Sequence, residues 1–213
     1  MREILPGVFH WEATHPKIRT QVSSYWLEEG GVAIDPLLPE AEGIEWFSAR
    51  TSPPAAVLLS NRHHYRHAGR LQEAFGCAIY CNSEGLHEFE HDERVTPFEP
   101  GEELPGGVRA ERLGGICPDE TALYIPAHRA ICFADAIVRG SLHSSLAGLG
   151  FVPDSLMDDP PYTKRVILEA VARLLARLDF DTVLLAHGSP LVGEGRLPLQ
   201  GLVDCGGRTA FEF

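Results

Sequence analysis

Lysine is almost missing from this chain: Lys17 and Lys164 are the only two, so its basic charge is nearly all arginine. We read that as a compositional bias without mechanistic content. Basic charge as a whole is scarce, 18 residues against 30 acidic ones, for a formal net charge of −12 over 213 residues. A nucleic acid or an anionic membrane surface needs a basic face, so neither is an expected partner, and a small molecule is the better default. No apolar run approaches the length of a membrane span, and the opening MREILPGVFHWEA lacks the charged and then long apolar regions of a secretory signal. A cytoplasmic location is therefore expected. There is no Cys-x-x-Cys pair, and the five cysteines are odd in number. A strand would hold the Cα atoms of Cys77 and Cys81 about 13 Å apart, too far for a disulfide. The cysteines read as small buried apolar residues in a reducing compartment. A Gly-x-Ser-x-Gly nucleophile elbow is also lacking, which removes the commonest serine-hydrolase signature.

What is present is apolar content of 44%, enough for one sizeable core, with neither an internal repeat nor a linker. A single domain over 1–213 is expected. VFHWEA, QVSSYWLE and GVAIDP are short β-like runs between Gly and Pro, which predicts an antiparallel meander. AEGIEWFSAR has helical spacing, AAVLLS at 55–60 reads as a buried strand, and 66–75 as a helix. CAIYC predicts a strand, SEGLHEF a short helix, and 94–119 a hairpin with loops. TALYIPAHRAICFADA offers two strands around a Pro-Ala-His-Arg turn. The stretch 140–160 carries no clear period and reads as a loop near a site. Asp159 before Pro160 predicts a helix start, and Ile167, Ala170, Val171, Leu174, Leu175 and Leu178 mark one apolar face of a long helix. TVLLA makes a last strand that ends at His187 and Gly188.

Ligand-type residues thus sit at strand ends in three places: the SNRHHYRH cluster after AAVLL, Asp135 after AICFA, and His187 after TVLLA. Strand ends on one edge of a sheet converge in space, so these distant residues are candidates for one site. His10, His15, His87, His91 and His128 fall in turns or on polar faces and read as ordinary surface residues, as does His63.

The order and contexts of these segments resemble the metallo-β-lactamase fold superfamily, which includes hydroxyacylglutathione hydrolases. QVSSYWLEEGGVAIDP looks like its early strands ending in Asp, LGGICPDETALYIPAHRAICFADAIV like its central motif and hairpin, and LLAHGSP like its final His-Gly turn. The resemblance implies an α+β fold, a four-layer αββα sandwich of two mixed sheets flanked by helices. It also implies a metal-dependent hydrolase, with Asp135 and His187 as catalytic residues. The family pattern H-x-H-x-D-H, laid so that it ends at His67, matches His64 and His67. It puts Arg62 and Arg66 where a His and an Asp should stand, and Ile116 where a further ligating His should stand.

Zinc takes about four deprotonated ligands, or three and a water, and neither half of the implied pair of sites is complete. A guanidinium does not become a neutral donor. At about 6 Å from a divalent ion, in an effective dielectric near 20, it repels the ion by roughly 5 kcal/mol. Full metal occupancy is therefore not expected. His64, His67, Asp135 and His187 are enough for one zinc or another divalent transition metal if they converge on a point. Otherwise Arg62 or Arg66 is expected to pair with Asp135. With donors to spare, Arg62 and Arg66, together with His64 and His67, would bind a small anionic ligand. The two functional readings are a hydrolase-like protein with a degraded binuclear site and a metal-free pseudoenzyme that binds an anion in the remnant pocket.

Overall fold

The structure is a computed structural model that describes residues 1–40, 43–89, 93–140 and 148–206. Seven strands form the first sheet in sequential order: β1 (Arg2–Leu5), β2 (Val8–Thr14), β3 (Gln21–Leu27), β4 (Val32–Ile34), β5 (Ala56–Leu58), β6 (Ala78–Asn82) and β7 (Val95–Phe98). β1 to β4 are an antiparallel meander, as the Gly and Pro punctuation predicts, and β4 to β7 run parallel. The second sheet has β8 (Glu103–Leu104), β9 (Val108–Arg112), β10 (Thr121–Ile125), β11 (Ala130–Phe133) and, after β12 (Val138–Arg139) and β13 (Leu149–Gly150), β14 (Thr182–Leu185). Its order is β14-β11-β10-β9-β8, with β11 and β14 parallel and the rest antiparallel.

Side-chain alternation along the strands builds the layers. On β10, Leu123 and Ile125 face the first sheet and pack with Tyr25, Ile34 and Leu58. Ala122 and Tyr124 face the other way, against α3 (Pro160–Arg177) and α4 (Arg196–Asp204), through Ile167, Val171, Leu174 and Leu199. The outer face of the first sheet, with Trp26 and Val57, is covered by Phe47 of α1 (Glu45–Ser48) and Leu71 of α2 (Ala68–Phe75). The result is the αββα sandwich. The six-residue face read for the long helix is buried throughout.

Differences from the sequence reading are local. Of AEGIEWFSAR, residues 41–42 lie outside those described, and the rest forms only the short α1; Gly43 takes φ +51°, outside the helical range. The 66–75 helix starts at Ala68, with His67 at its N-cap. SEGLHEF is a 3-10 turn, Ser83–Glu88. Within 140–160, residues 141–147 lie outside those described. No helix among the described residues is long and apolar enough to cross a membrane.

The long helix starts where Asp159 Oδ1 accepts from the Tyr162 N–H at 3.0 Å. Asp159→Ala should therefore lower stability by about 1 kcal/mol, or about 2–4 °C in Tm for a chain of this size. Thermal unfolding followed by circular dichroism checks it.

Candidate functional site

Two of the parallel strand pairs, β4 with β5 and β11 with β14, end at the same rim of the sandwich, and the chemistry-bearing residues follow those ends: Asp35, Ser60 to His64, Asp135 and His187. Tyr25 Oη donates to Leu185 O and accepts from the Leu185 N–H, at 2.8 and 2.9 Å, and the Ser23 N–H donates to Ala186 O at 2.8 Å. These bonds tie β3 of one sheet to β14 of the other beside the site. The final turn needs glycine at Gly188, where φ is +97° and a Cβ would lie 2.1 Å from Arg139 O.

His64, Asp135 and His187 each offer a ligand atom, all within 4.8 Å of one another. His187 Nε2 lies 3.0 Å from Asp135 Oδ1 and His64 Nε2 3.4 Å from it. His64 is held from behind: its Nδ1 is 3.0 Å from Asp35 Oδ2 and 3.0 Å from Ser60 Oγ. Asp35 is fully buried, takes the Ser60 N–H at 2.9 Å and the Ser60 hydroxyl, and sits at φ +47°. Asn61 Nδ2 donates to Asp135 Oδ2 at 2.9 Å.

Without an ion, the imidazole of His64 bridges two carboxylates. Burial and the Arg66 charge push its pKa down, yet Asp135 and Asp35 raise it further, to about 9. Burial pushes Asp35 and Asp135 up, but His64 leaves Asp35 below the ordinary carboxylate range, and His64 with His187 leaves Asp135 well below it. Glu120, fully buried nearby, goes the other way: burial and the Asp135 charge raise it to about 8.

Neither arginine forms the ion pair with Asp135 that the sequence suggested. Arg62 is taken by Asp119, a buried acid that pairs with its guanidinium and accepts its backbone N–H at 2.6 Å. Asp119 wins over Asp135 because the packed turn sets Arg62 directly against it. Arg66 points inward, and its Nη1 donates to Ser23 O and Asp35 O, each at 2.8 Å. Its Nη2 is buried with no hydrogen-bond partner among the described residues, and its backbone sits at φ +42°. His67 does not join the cluster of His64, Asp135 and His187; its Nδ1 accepts from the Leu38 N–H at 3.0 Å. His10, read as a surface residue, is buried: it stacks on Tyr25 at 5.1 Å, and its Nε2 is 3.0 Å from Ser23 Oγ. His91 lies outside the described residues. Asp35, Asn61, Asp119 and Glu120 were not picked out as site residues from the sequence. The one available signal was the acidic pair following Cys117-Pro118.

A cavity of about 690 Å³ opens over the cluster. Arg19, Arg66 and Arg139 line it together with only two acids among the described residues, Glu12 and Asp135, so this acidic chain carries a basic cleft. Val22, Ile116 and Val138 form apolar wall, and Ile18 and Leu156, 57% and 64% exposed, stand at it as well.

Solved structures show what this architecture is. The fold is the metallo-β-lactamase fold. DIM-1 metallo-β-lactamase superposes with a TM-score of 0.73 at 13% identity, covering 96% of this chain and 94% of its own. The metallo-β-lactamase family protein TTHA1429 from Thermus thermophilus gives 0.65 at 17% identity, with coverage of 95% and 80%. TTHA1623, solved in a di-iron-bound form, gives 0.62 at 24% identity, with coverage of 85% and 94%. No protein-family profile matches the sequence, and no curated protein matches it.

The raised His64 value fixes a sign. Its folded-state pKa of about 9 lies above the ordinary 6.5, so its contribution is complete below about pH 6.5 and is lost as pH rises through 9. Chelator-treated protein should lose on the order of 3 kcal/mol over that window. Glu120, raised from 4.5 to about 8, acts in the same direction. Denaturant unfolding at pH 6, 7.5 and 9 should show the fall, and His64→Gln should make it smaller, leaving the share that Glu120 carries; an equal slope in the variant contradicts the assignment.

Proposed function

We propose that this chain is a hydrolase-like protein whose site works with a single divalent ion, held by His64, Asp135 and His187, on a small anionic substrate. The observation that carries the reading is the convergence of two imidazoles and a carboxylate within 4.8 Å, the one such group among the described residues. This donor set suits one ion, since three protein ligands leave a coordination position open, as in catalytic zinc and two-His-one-carboxylate iron sites. Asp35 behind His64 is the outer partner that orients a ligating imidazole. The set does not suit two ions. Arg62, Arg66 and Ile116 stand where the family pattern has ligands, and the buried Arg66 guanidinium is a fixed positive charge beside the cluster.

A divalent ion held here supplies Lewis acidity toward a carbonyl or phosphoryl oxygen. The rest is work for the chain itself. Asp135 accepts a hydrogen bond from Asn61, which orients its carboxylate, and the Nε2 atoms of His187 and His64 both face its Oδ1. The arginines Arg19, Arg66 and Arg139 draw an anion into the cavity, whose volume falls in the range of small-molecule sites. Of the three, Arg66 is the one partly withdrawn from bulk water, which strengthens its field, whereas Arg19 is exposed.

A second reading, a metal-free anion binder, is favoured by one observation. The His64 imidazolium already links Asp35 and Asp135, so the site is electrostatically closed without an ion. Zinc titration with metal quantification separates the two. Wild-type protein should bind one zinc per chain and never two, and His64→Ala should abolish it. Two ions per chain overturns the single-ion reading; none, with phosphate or a small carboxylate still binding by calorimetry, moves the conclusion to the second.

A further inference from the structure

The segment Ile116–Glu120 supplies no metal ligand, yet it is wired into the site from both ends. Glu120 is fully buried at the start of β10 and is itself fixed, since its carbonyl accepts from the Leu113 and Gly114 N–H groups at 3.3 and 3.0 Å. Its Oε1 accepts the Asp135 and Ala136 N–H groups at 2.8 and 2.7 Å. Its Oε2 accepts from Asn61 Nδ2 at 3.1 Å and from the Cys117 thiol at 3.7 Å. The same Asn61 amide reaches Asp135 Oδ2, and Asn61 Oδ1 takes the His63 N–H at 3.0 Å, capping the turn Arg62–His64. One carboxylate therefore fixes the backbone of Asp135 and, through Asn61, the turn that carries His64.

We propose that Glu120 is the positioning residue of this site, setting the placement of the Asp135 carboxylate relative to His64 and His187. The groups that meet its two oxygens are all donors: two backbone N–H groups, the Asn61 amide and the Cys117 thiol. A glutamine of the same shape would turn an amide N–H₂ either toward two backbone N–H donors or toward the Asn61 amide, whose own oxygen is already engaged by His63. The inference rests on the single-ion reading for one of its readouts, and a second readout needs no metal.

The test compares wild type, Glu120→Gln and a control, Val171→Ala, which opens a core cavity under the long helix and removes none of these hydrogen bonds. Zinc affinity is measured by competition with a chelating dye. Imidazole ¹⁵N and ring-proton resonances of His64 and His187 are recorded at one fixed pH in metal-free protein. Glu120→Gln should weaken zinc binding by about 10–100-fold, the range for outer partners of metal ligands, and shift both sets of resonances. Val171→Ala should lose stability and leave both readouts alone. Shifts that appear while wild type binds no zinc keep the positioning role and reject the single-ion reading. Unmoved resonances in a folded Glu120→Gln, or equal changes in Val171→Ala, overturn the proposal, as does zinc affinity within threefold of wild type where wild type binds zinc.

Discussion

Four carboxylates, those of Asp35, Asp119, Glu120 and Asp135, gather at one rim of a sandwich whose interior is otherwise apolar, and each must be paired or it would drive the rim apart. The solutions differ in kind. Asp35 takes His64 and Ser60, Asp119 takes Arg62, Glu120 takes backbone N–H groups and Asn61, and Asp135 takes His64, His187 and Asn61. Because several partners are shared, the groups form one network, and moving one carboxylate disturbs the partners of the next.

The two sheets make such a network possible. Parallel pairing of β4 with β5 and of β11 with β14 delivers strand ends to the same rim, and Tyr25 joins the sheets beside it. The backbone there is held out of its ordinary range: Asp35 and Arg66, neither a glycine, both adopt positive φ. Each costs of order 1 kcal/mol or more. Surrounding bonds hold both: Asp35 through Ser60 and His64, and Arg66 through the carbonyls of Ser23 and Asp35. The outcome is a polar floor of fixed charge beneath partly apolar walls.

Local pattern was enough for the elements and the convergence, while the four layers came with the family resemblance. Period-two runs, the Asp159-Pro160 helix start and the six-residue apolar face specify elements through local geometry, and three ligand-bearing strand ends specify one rim, so His64, Asp135 and His187 were legible as partners. Which acid met which cation was settled by packing. Arg62 could not be assigned to Asp119 over Asp135 from spacing, because both choices are long-range and only the packed turn brings 62 against 119. His67 could not be separated from His64, because the α2 N-cap turns its ring toward the Leu38 N–H. Glu120 appeared in the sequence only as part of the central-motif stretch; what fixes it is a pair of backbone N–H groups at Asp135 and Ala136, and main-chain donors leave no mark in a sequence.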